Sequence, residues 1–434
     1  MSSSPSHTDP ALRTGRDGAI APAVRALTSG KTFWGVVVLM TAIATALGAL
    51  SEDRRLFDPD EAIYMRVIAL FDTGPSLELL RTYEGEPASP APLFFMVYAW
   101  WGKLFGFHGP AFRALSVLIT LVTMLCLWGF LRRSPRPGDR VCYPLLVFMF
   151  PYIFCMGFAV MAESLTLLFV VVALVYYLQG LAHKSNAALL VGSIAVAAAL
   201  HVRIHAVFLP AALMVVLLLR RDRSVVSWCL AAAPIVTRVP LALLQGGLTV
   251  SRESFAGTKP ELGFCPSNIN FFFVWFGCLF FPLLWSCRGR QRINLAAMLV
   301  MIPFYVWATP NFLSPEHFGA IRSVLLRLGV NATGAPWLLF PFWFLGCYMT
   351  VDLVQRLVTA KDIGDVFLIA CVIMLACSLA FSTVAFERYY QLAVPAVVLL
   401  GIDRRQRPSG YVAIALCHIF FLILSTARMA QDLV

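Results

Sequence analysis

Charge is scarce in this chain. Charged residues make up 13% of the 434 and hydrophobic residues 59%, with a mean hydropathy of +0.79. A soluble domain is about 45–50% apolar and about 25% charged. No polar stretch is long enough for a separate soluble domain, which excludes a conventional soluble enzyme. The eleven cysteines lack the C-x-x-C and zinc-ligand spacings of redox and metal sites. All except Cys265 fall in or at the ends of apolar runs, so no disulfide framework is read. There is no heptad, no internal repeat and no glycine-rich nucleotide motif. Residues 1–31 lack the ordered basic, apolar and small-residue regions of a cleaved signal peptide. They read as a disordered, Ser/Pro/Ala-rich cytoplasmic tail. The net charge of +11 would suit nucleic acid, but its placement along the chain points to a membrane topology instead.

What is present is a series of apolar runs of roughly 17–22 residues, the signature of a polytopic helical membrane protein. The expected architecture is all-α, with one transmembrane domain over 32–434. Thirteen spans are read: 33–50, 113–131, 141–161, 163–181, 187–202, 204–219, 225–244, 270–287, 293–309, 336–354, 363–384, 389–402 and 411–427. The segment 91–107 is apolar but short and carries Lys103. The positive-inside rule decides its fate. If it does not span, every tight Arg/Lys cluster faces the cytoplasm. The inside then holds 20 basic and eight acidic groups, and the outside 13 basic and 15 acidic. If it spans, those clusters flip outside. Segment 91–107 is therefore expected to lie in the outer membrane interface, as is 60–72, whose apolar residues recur at helical spacing. Together they make 51–112 an external loop with interfacial helices.

That loop is the densest acidic stretch. Nine of the 23 carboxylates lie between Glu52 and Glu86, against four Arg. Within it, Asp58-Pro59-Asp60-Glu61-Ala62-x-Tyr64 is the strongest motif. Pro59 biases Asp58 away from helix and leaves Asp60 and Glu61 at a helix N-terminus, where carboxylates are favoured. A simple helix cap would look the same. Under the topology above, Glu84, Glu163, Arg203, His205, Glu387 and Arg388 all fall at the same outer boundary as Asp60. Arg203 and His205 interrupt two apolar runs; they either snorkel from a short turn or meet an anion. Glu387-Arg388-Tyr389-Tyr390 is either an internal ion pair or a phosphate or sugar contact. Arg238 lies inside a span, between Pro234 and Pro240, where an arginine is a functional suspect and a structural Arg–Glu pair is the alternative. Glu163 is either a helix N-cap partner or a second carboxylate that orients an acceptor or shares a divalent cation with Asp60, a cluster that Glu84 could join. External loops 245–268 and 310–335 are expected to shape the acceptor cavity.

The order of these motifs resembles that of the GT-C superfamily of membrane glycosyltransferases, nearest to the lipid A aminoarabinose transferases and protein O-mannosyltransferases. The correspondence runs through Asp60-Glu61 opening a helix and Glu84-Gly85-Glu86-Pro87. It continues in Pro90-Ala91-Pro92-Leu93-Phe94-Phe95, Arg113-Ala114-Leu115-Ser116 and Glu163, and ends with Arg388-Tyr389 to Pro395. It covers about the first 210 residues and 386–401. The Lys that commonly precedes the Pro-Pro-Leu element is absent, and Glu163 stands where the nearest branch more often has Asp. The resemblance implies Asp60 as catalytic base and a polyprenyl-phosphate-linked sugar as donor. The acceptor is left open among lipid, glycan and protein.

The chemistry fits this scheme. A base must take a hydroxyl proton as the oxygen attacks the anomeric carbon, and cations must meet the charge developing on the leaving phosphate. Asp60, Glu61 and Glu163 are the candidate catalytic carboxylates. Arg203, His205, Arg388, Tyr389, Glu84 and Arg238 are the candidate substrate contacts. The expected setting is a bacterial inner or plasma membrane, with a cytoplasmic N-terminus and an extracytoplasmic site. A secondary transporter or flippase is the competing class, but transporters place ionisable groups near the bilayer midplane, often in repeated halves. A non-catalytic assembly subunit is the third reading, and the presence of Asp60 speaks against it.

Overall fold

The structure, a computed structural model, describes residues 34–35, 37–38, 42, 59–82, 91–131, 139–245, 264–282, 291–314, 319–382, 387–401 and 413–423. The 1–31 tail, Glu84 and the 85–90 motif lie outside the described residues. Among the described residues the chain is helical without strands. Four helices are long and apolar enough to cross a membrane, and six shorter apolar helices accompany them. The protein is an all-α integral membrane protein.

Three short helices form a platform beside the bundle. Helix α1 (Pro59–Leu70) buries Glu61, Tyr64, Val67 and Ile68 along one face, the spacing of an amphipathic helix. It continues through a 3₁₀ turn, Phe71–Thr73, to a helix that sequence reading missed, α2 (Leu77–Thr82). Helix α3 (Pro92–Phe105) has 14 residues, about 21 Å at 1.5 Å per residue. That falls short of the ~30 Å hydrocarbon core. It buries Phe94, Phe95, Tyr98 and Ala99 on one side and exposes Trp100, Leu104 and Phe105 on the other. Tyr64 of α1 meets the Phe94 and Phe95 rings edge-on at 5.5 and 6.1 Å. A hydroxyl pair, Tyr98 to Ser116 at 2.7 Å, joins α3 to α4 (Gly109–Leu131).

The expected span 141–161 is broken. Helix α5 (Asp139–Phe148) stops before Pro151, which opens a separate six-residue helix, α6 (Pro151–Met156). Proline has no N–H to continue the ladder and is tolerated in a first turn. Residues 157–161 then leave the helix while staying buried. Non-helical backbone at this depth is tolerated where protein surrounds it, and here it supplies an N–H to the site described below. Helices α7 (Ala162–His183) and α8 (Asn186–Leu200) follow. The expected span 204–219 begins with a 3₁₀ turn, Ile204–Val207, before α9 (Phe208–Leu219).

The remaining helices are α10 (Val225–Gln245), α11 (Ser267–Phe280), α12 (Gln291–Trp307), α13 (Ala320–Arg327), α14 (Gly334–Thr359) and α15 (Ile363–Leu379). Helix α13 lies in a loop where no helix is expected from the sequence. The expected span 389–402 is instead a short α16 (Glu387–Tyr390), a 3₁₀ turn and α17 (Val394–Gly401). Helices α11 and α14 cross at the backbone. A Cβ on Gly277 would overlap the Phe342 carbonyl, and one on Gly346 the Phe273 carbonyl. Small residues are what allow such close packing between membrane helices.

Candidate functional site

The first turn of α1 is the starting point. Pro59 fixes the helix start, and Asp60 and Glu61 follow it. Adjacent residues on a helix point in different directions, and these two carboxylates go to different partners. Glu61 turns inward and is 1% exposed. Its Oε1 accepts from Arg113 Nε at 3.0 Å and its Oε2 from Arg113 Nη2 at 3.2 Å, a two-point pairing. Oε1 also accepts the Val160 N–H at 3.0 Å. Glu61 therefore clamps α1 to the start of α4 and to the buried 157–161 backbone. The sequence reading grouped it with the reacting carboxylates, whereas its contacts here are those of an anchor.

Asp60 faces the other way. Its Oδ2 accepts from Arg388 Nη2 at 2.6 Å, and its side chain, 16% exposed, is more open than that of Arg388 at 7%. Arg388 Nε lies 3.3 Å from Glu163 Oε1. The same Glu163 oxygen accepts from Arg203 Nη2 at 2.8 Å. Arg203 Nη2 reaches back to the Tyr64 hydroxyl at 3.2 Å. Tyr64 is one helical turn beyond Asp60, on the same face of α1. The result is a series of contacts that begins and ends on α1, closed into a ring by that helix's backbone: Asp60, Arg388, Glu163, Arg203, Tyr64. It draws on α1, the first turn of α7, the 201–203 turn and α16.

The Tyr389 ring floors this arrangement. The Arg203 and Arg388 Cζ atoms sit 5.4 and 5.8 Å from its centroid, within cation–π range. His205 lies against the same Tyr389 ring, the two ring centroids 4.5 Å apart. His205 thus supports Tyr389. Arg238 is buried in α10, within electrostatic reach of His201 at the turn that carries Arg203.

The 201–203 turn is itself held in place. The Ala91 N–H donates to Val202 O at 2.9 Å and the Leu93 N–H to His201 O at 3.1 Å. The open N–H groups at the start of α3 are thereby satisfied, and the Ala91-Pro92-Leu93 element fixes the backbone that carries Arg203.

The electrostatics are balanced, with two carboxylates against two guanidiniums. Burial works against the Arg203 charge, and the Glu163 carboxylate outweighs it, so its pKa is raised and it stays cationic. Burial raises the Tyr64 hydroxyl far above the ordinary tyrosine range, so it stays neutral. Glu163 Oε2 is a buried acceptor with no hydrogen-bond partner among the described residues, oriented by the pairings of its sister oxygen. Buried acceptors are rarely left unused, so this atom is suited to a hydroxyl donor. Among the described residues no group of three His, Cys, Asp or Glu side chains could hold a metal. Arg388 bridges Asp60 and Glu163, so a cation shared by these two would have to displace it. Glu84 lies outside the described residues.

The structure thus brings Asp60, Glu163, Arg203, Arg388 and Tyr389 together, with His205 behind them. It adds Tyr64, which sequence reading left out of the candidate site. The signal was there, because Tyr64 sits at i+4 from Asp60 in the same motif.

Residues 88–242, which contain Glu163, Arg203, His205 and Arg238, match the family model of dolichyl-phosphate-mannose-protein mannosyltransferases. No curated protein matches the chain. Among solved structures it is similar to ArnT from Cupriavidus metallidurans in the apo state, at 16% identity, over 89% of this chain and 62% of that chain, with a TM-score of 0.49. The same protein bound to undecaprenyl phosphate matches at 16% identity, over 88% and 62%, with a TM-score of 0.47. This chain spans less than two thirds of that protein's length. The match over 88–242 bears out the resemblance carried by the motifs: the chain is similar to the GT-C membrane glycosyltransferases.

Proposed function

We propose that the protein is an inverting glycosyltransferase that moves a sugar from a polyprenyl-phosphate donor to a hydroxyl acceptor at the extracytoplasmic membrane face. The observation that carries this reading is the Asp60–Arg388–Glu163–Arg203 ring beside an interfacial platform. It sets a partly exposed carboxylate next to two buried cations. The family match over 88–242, to dolichyl-phosphate-mannose-protein mannosyltransferases, supports a lipid-linked donor. The charge distribution of the loops supports the extracytoplasmic face.

In this reading the donor's lipid tail stays in the bilayer and its phosphate lies against Arg203 and Arg388. Asp60 takes the proton of the acceptor hydroxyl as that oxygen attacks the anomeric carbon. The new C–O bond forms while the bond to the phosphate oxygen breaks. Its electron pair leaves on the polyprenyl phosphate, and the two arginines meet that charge. One displacement inverts the anomeric centre. Glu163 Oε2 accepts a hydrogen bond from a sugar or acceptor hydroxyl, and Tyr64 and Tyr389 hold the arginines in place. The acceptor is a lipid, a glycan or a protein.

The test is transfer of radiolabelled sugar in proteoliposomes, from a panel of polyprenyl-phosphate sugars to lipid and glycan acceptors, with the anomeric configuration of donor and product compared. Transfer with inversion supports the proposal. Transfer with retention contradicts the single displacement. Movement of lipid-linked sugar across the bilayer without transfer supports the transporter reading.

A further inference from the structure

Glu387 immediately precedes Arg388, yet the two side chains leave the chain in different directions. Glu387 is 1% exposed. Its Oε2 accepts the Tyr152 hydroxyl from α6, and its Oε1 accepts the Ile321 N–H at 2.8 Å. Ile321 lies in the first turn of α13, where unpaired N–H groups and the helix dipole favour a carboxylate. Gly319 lies directly beneath: a Cβ there would fall inside the Glu387 carboxyl group. The segment is also seated by apolar contacts, with Phe312, Ile321 and Leu325 buried. An aromatic series, Phe312 to Phe271 at 6.0 Å and Phe271 to Tyr390 at 5.9 Å, links the neighbouring 310–314 stretch to α16, and Arg322 Nε donates to Leu313 O at 2.9 Å to tie that stretch to α13. Tyr390 in turn donates to Asn268 O at 3.0 Å.

Resting on the glycosyltransferase reading, we propose that Glu387 is a positioning residue. It ties the 319–327 segment to the Asp60–Arg388 pair, so that seating this segment completes the catalytic ring. Helix α16 is four residues long, so displacing Glu387 displaces Arg388 with it. The Arg388–Asp60 contact of 2.6 Å is close enough that a shift of about 1 Å ends it. Unseating residues 319–321 would leave a buried carboxylate without its backbone donor, and a buried anion must be hydrogen-bonded. Glu387 therefore follows the segment, and Arg388 follows Glu387. The 319–327 segment and the cation that faces the leaving phosphate thus move as one unit.

The experiment approaches the contact from its two sides. Gly319→Ala pushes the segment off Glu387 without altering any charged group, and Glu387→Ala removes the tether. Glu387→Gln keeps an acceptor for the Ile321 N–H, and Tyr152→Phe removes one hydrogen bond and keeps the ring. Each variant is read by backbone hydrogen exchange over 319–327 and 387–391, and by kcat and donor KM for transfer in proteoliposomes.

Exchange is expected to rise in both segments for Gly319→Ala and Glu387→Ala. kcat should fall roughly 10–100-fold, the cost of misplacing a reacting group by about 1 Å, and donor KM should rise with it, because Arg388 faces the donor phosphate. Glu387→Gln and Tyr152→Phe should be milder in the same direction. Gly319→Ala combined with Glu387→Ala should be no worse than the more severe single change. The proposal is overturned if Gly319→Ala loosens 319–327 alone while 387–391 and kcat stay as in wild type, or if the two changes multiply. A wild-type protein that transfers no sugar would remove the glycosyltransferase reading, and the paired exchange behaviour would still decide the coupling.

Discussion

Replacing Glu61 by alanine separates an anchor from a catalyst. Glu61 is 1% and Arg113 7% exposed. The change leaves the Arg113 guanidinium buried without its two carboxylate contacts and the Val160 N–H without its acceptor. Breaking one side of a buried ion pair costs about 3–5 kcal/mol, because the remaining charge is uncompensated. The orphaned N–H adds about 1–3 kcal/mol when counted alone, but the two losses share one site and are not additive. A loss of about 3–5 kcal/mol is therefore expected. Reversible SDS unfolding of the reconstituted protein would measure it. The companion variant, Glu61→Leu with Arg113→Leu, removes both charges together. Replacing a whole buried pair by apolar side chains is often neutral, so the double variant should recover most of the stability and part of the transfer activity. If Glu61→Ala kept wild-type stability while abolishing transfer, and the double variant recovered nothing, Glu61 would be acting on the substrate and the anchor assignment would be wrong.

Further expectations follow from the same geometry. Tyr64→Phe removes the hydroxyl that accepts from Arg203; the loss should be about 1 kcal/mol in stability, seen by SDS unfolding, with a several-fold drop in kcat/KM. Gly346→Ala drives a methyl into the Phe273 carbonyl and should cost about 1–3 kcal/mol through overpacking, measured in the same way. Arg203→Lys keeps the charge but loses the planar guanidinium that lies over the Tyr389 ring, so donor binding should weaken about tenfold, the worth of one lost charged hydrogen bond. The pH sign for Arg203 runs one way. Its folded pKa is raised, so its stabilisation is complete below the unfolded arginine value and is lost only as pH climbs past the folded one. Donor binding measured from pH 6 to pH 10 should show no Arg203-linked decline.

Much of this was legible in the sequence because the signals were local or forced by the membrane. A proline followed by two acids marks a helix start, and α1 begins there. Arg203, Glu163 and Arg388 each break an apolar run, and a charge at such a place needs a partner. The charge asymmetry of the loops led the sequence reading to keep 91–107 out of the bilayer, and α3 there has 14 residues. What the sequence concealed is direction and long-range meeting. Asp60 and Glu61 look equivalent as a pair, and only the packing of α1 sends one to Arg388 and the other to Arg113. Tyr152 and Gly319 carry no signal of their own, because their role lies in Glu387, which is distant from both in sequence. The break of 141–161 was marked by Pro151, but the apolar run on both sides hid it. Helix α13 escaped because eight residues in a loop are too few for a periodic pattern to stand out.

The central claim is that Asp60 is the base of a glycosyl transfer. Its most direct test is sugar transfer by wild type and by Asp60→Asn in proteoliposomes, with insertion, SDS unfolding and donor binding measured on the same preparations. The change keeps the side chain's size and leaves it an acceptor for Arg388. The account predicts a folded, donor-binding Asp60→Asn protein whose transfer rate falls at least 100-fold, the lower end of what a general base contributes. Transfer at the wild-type rate by that protein would contradict it.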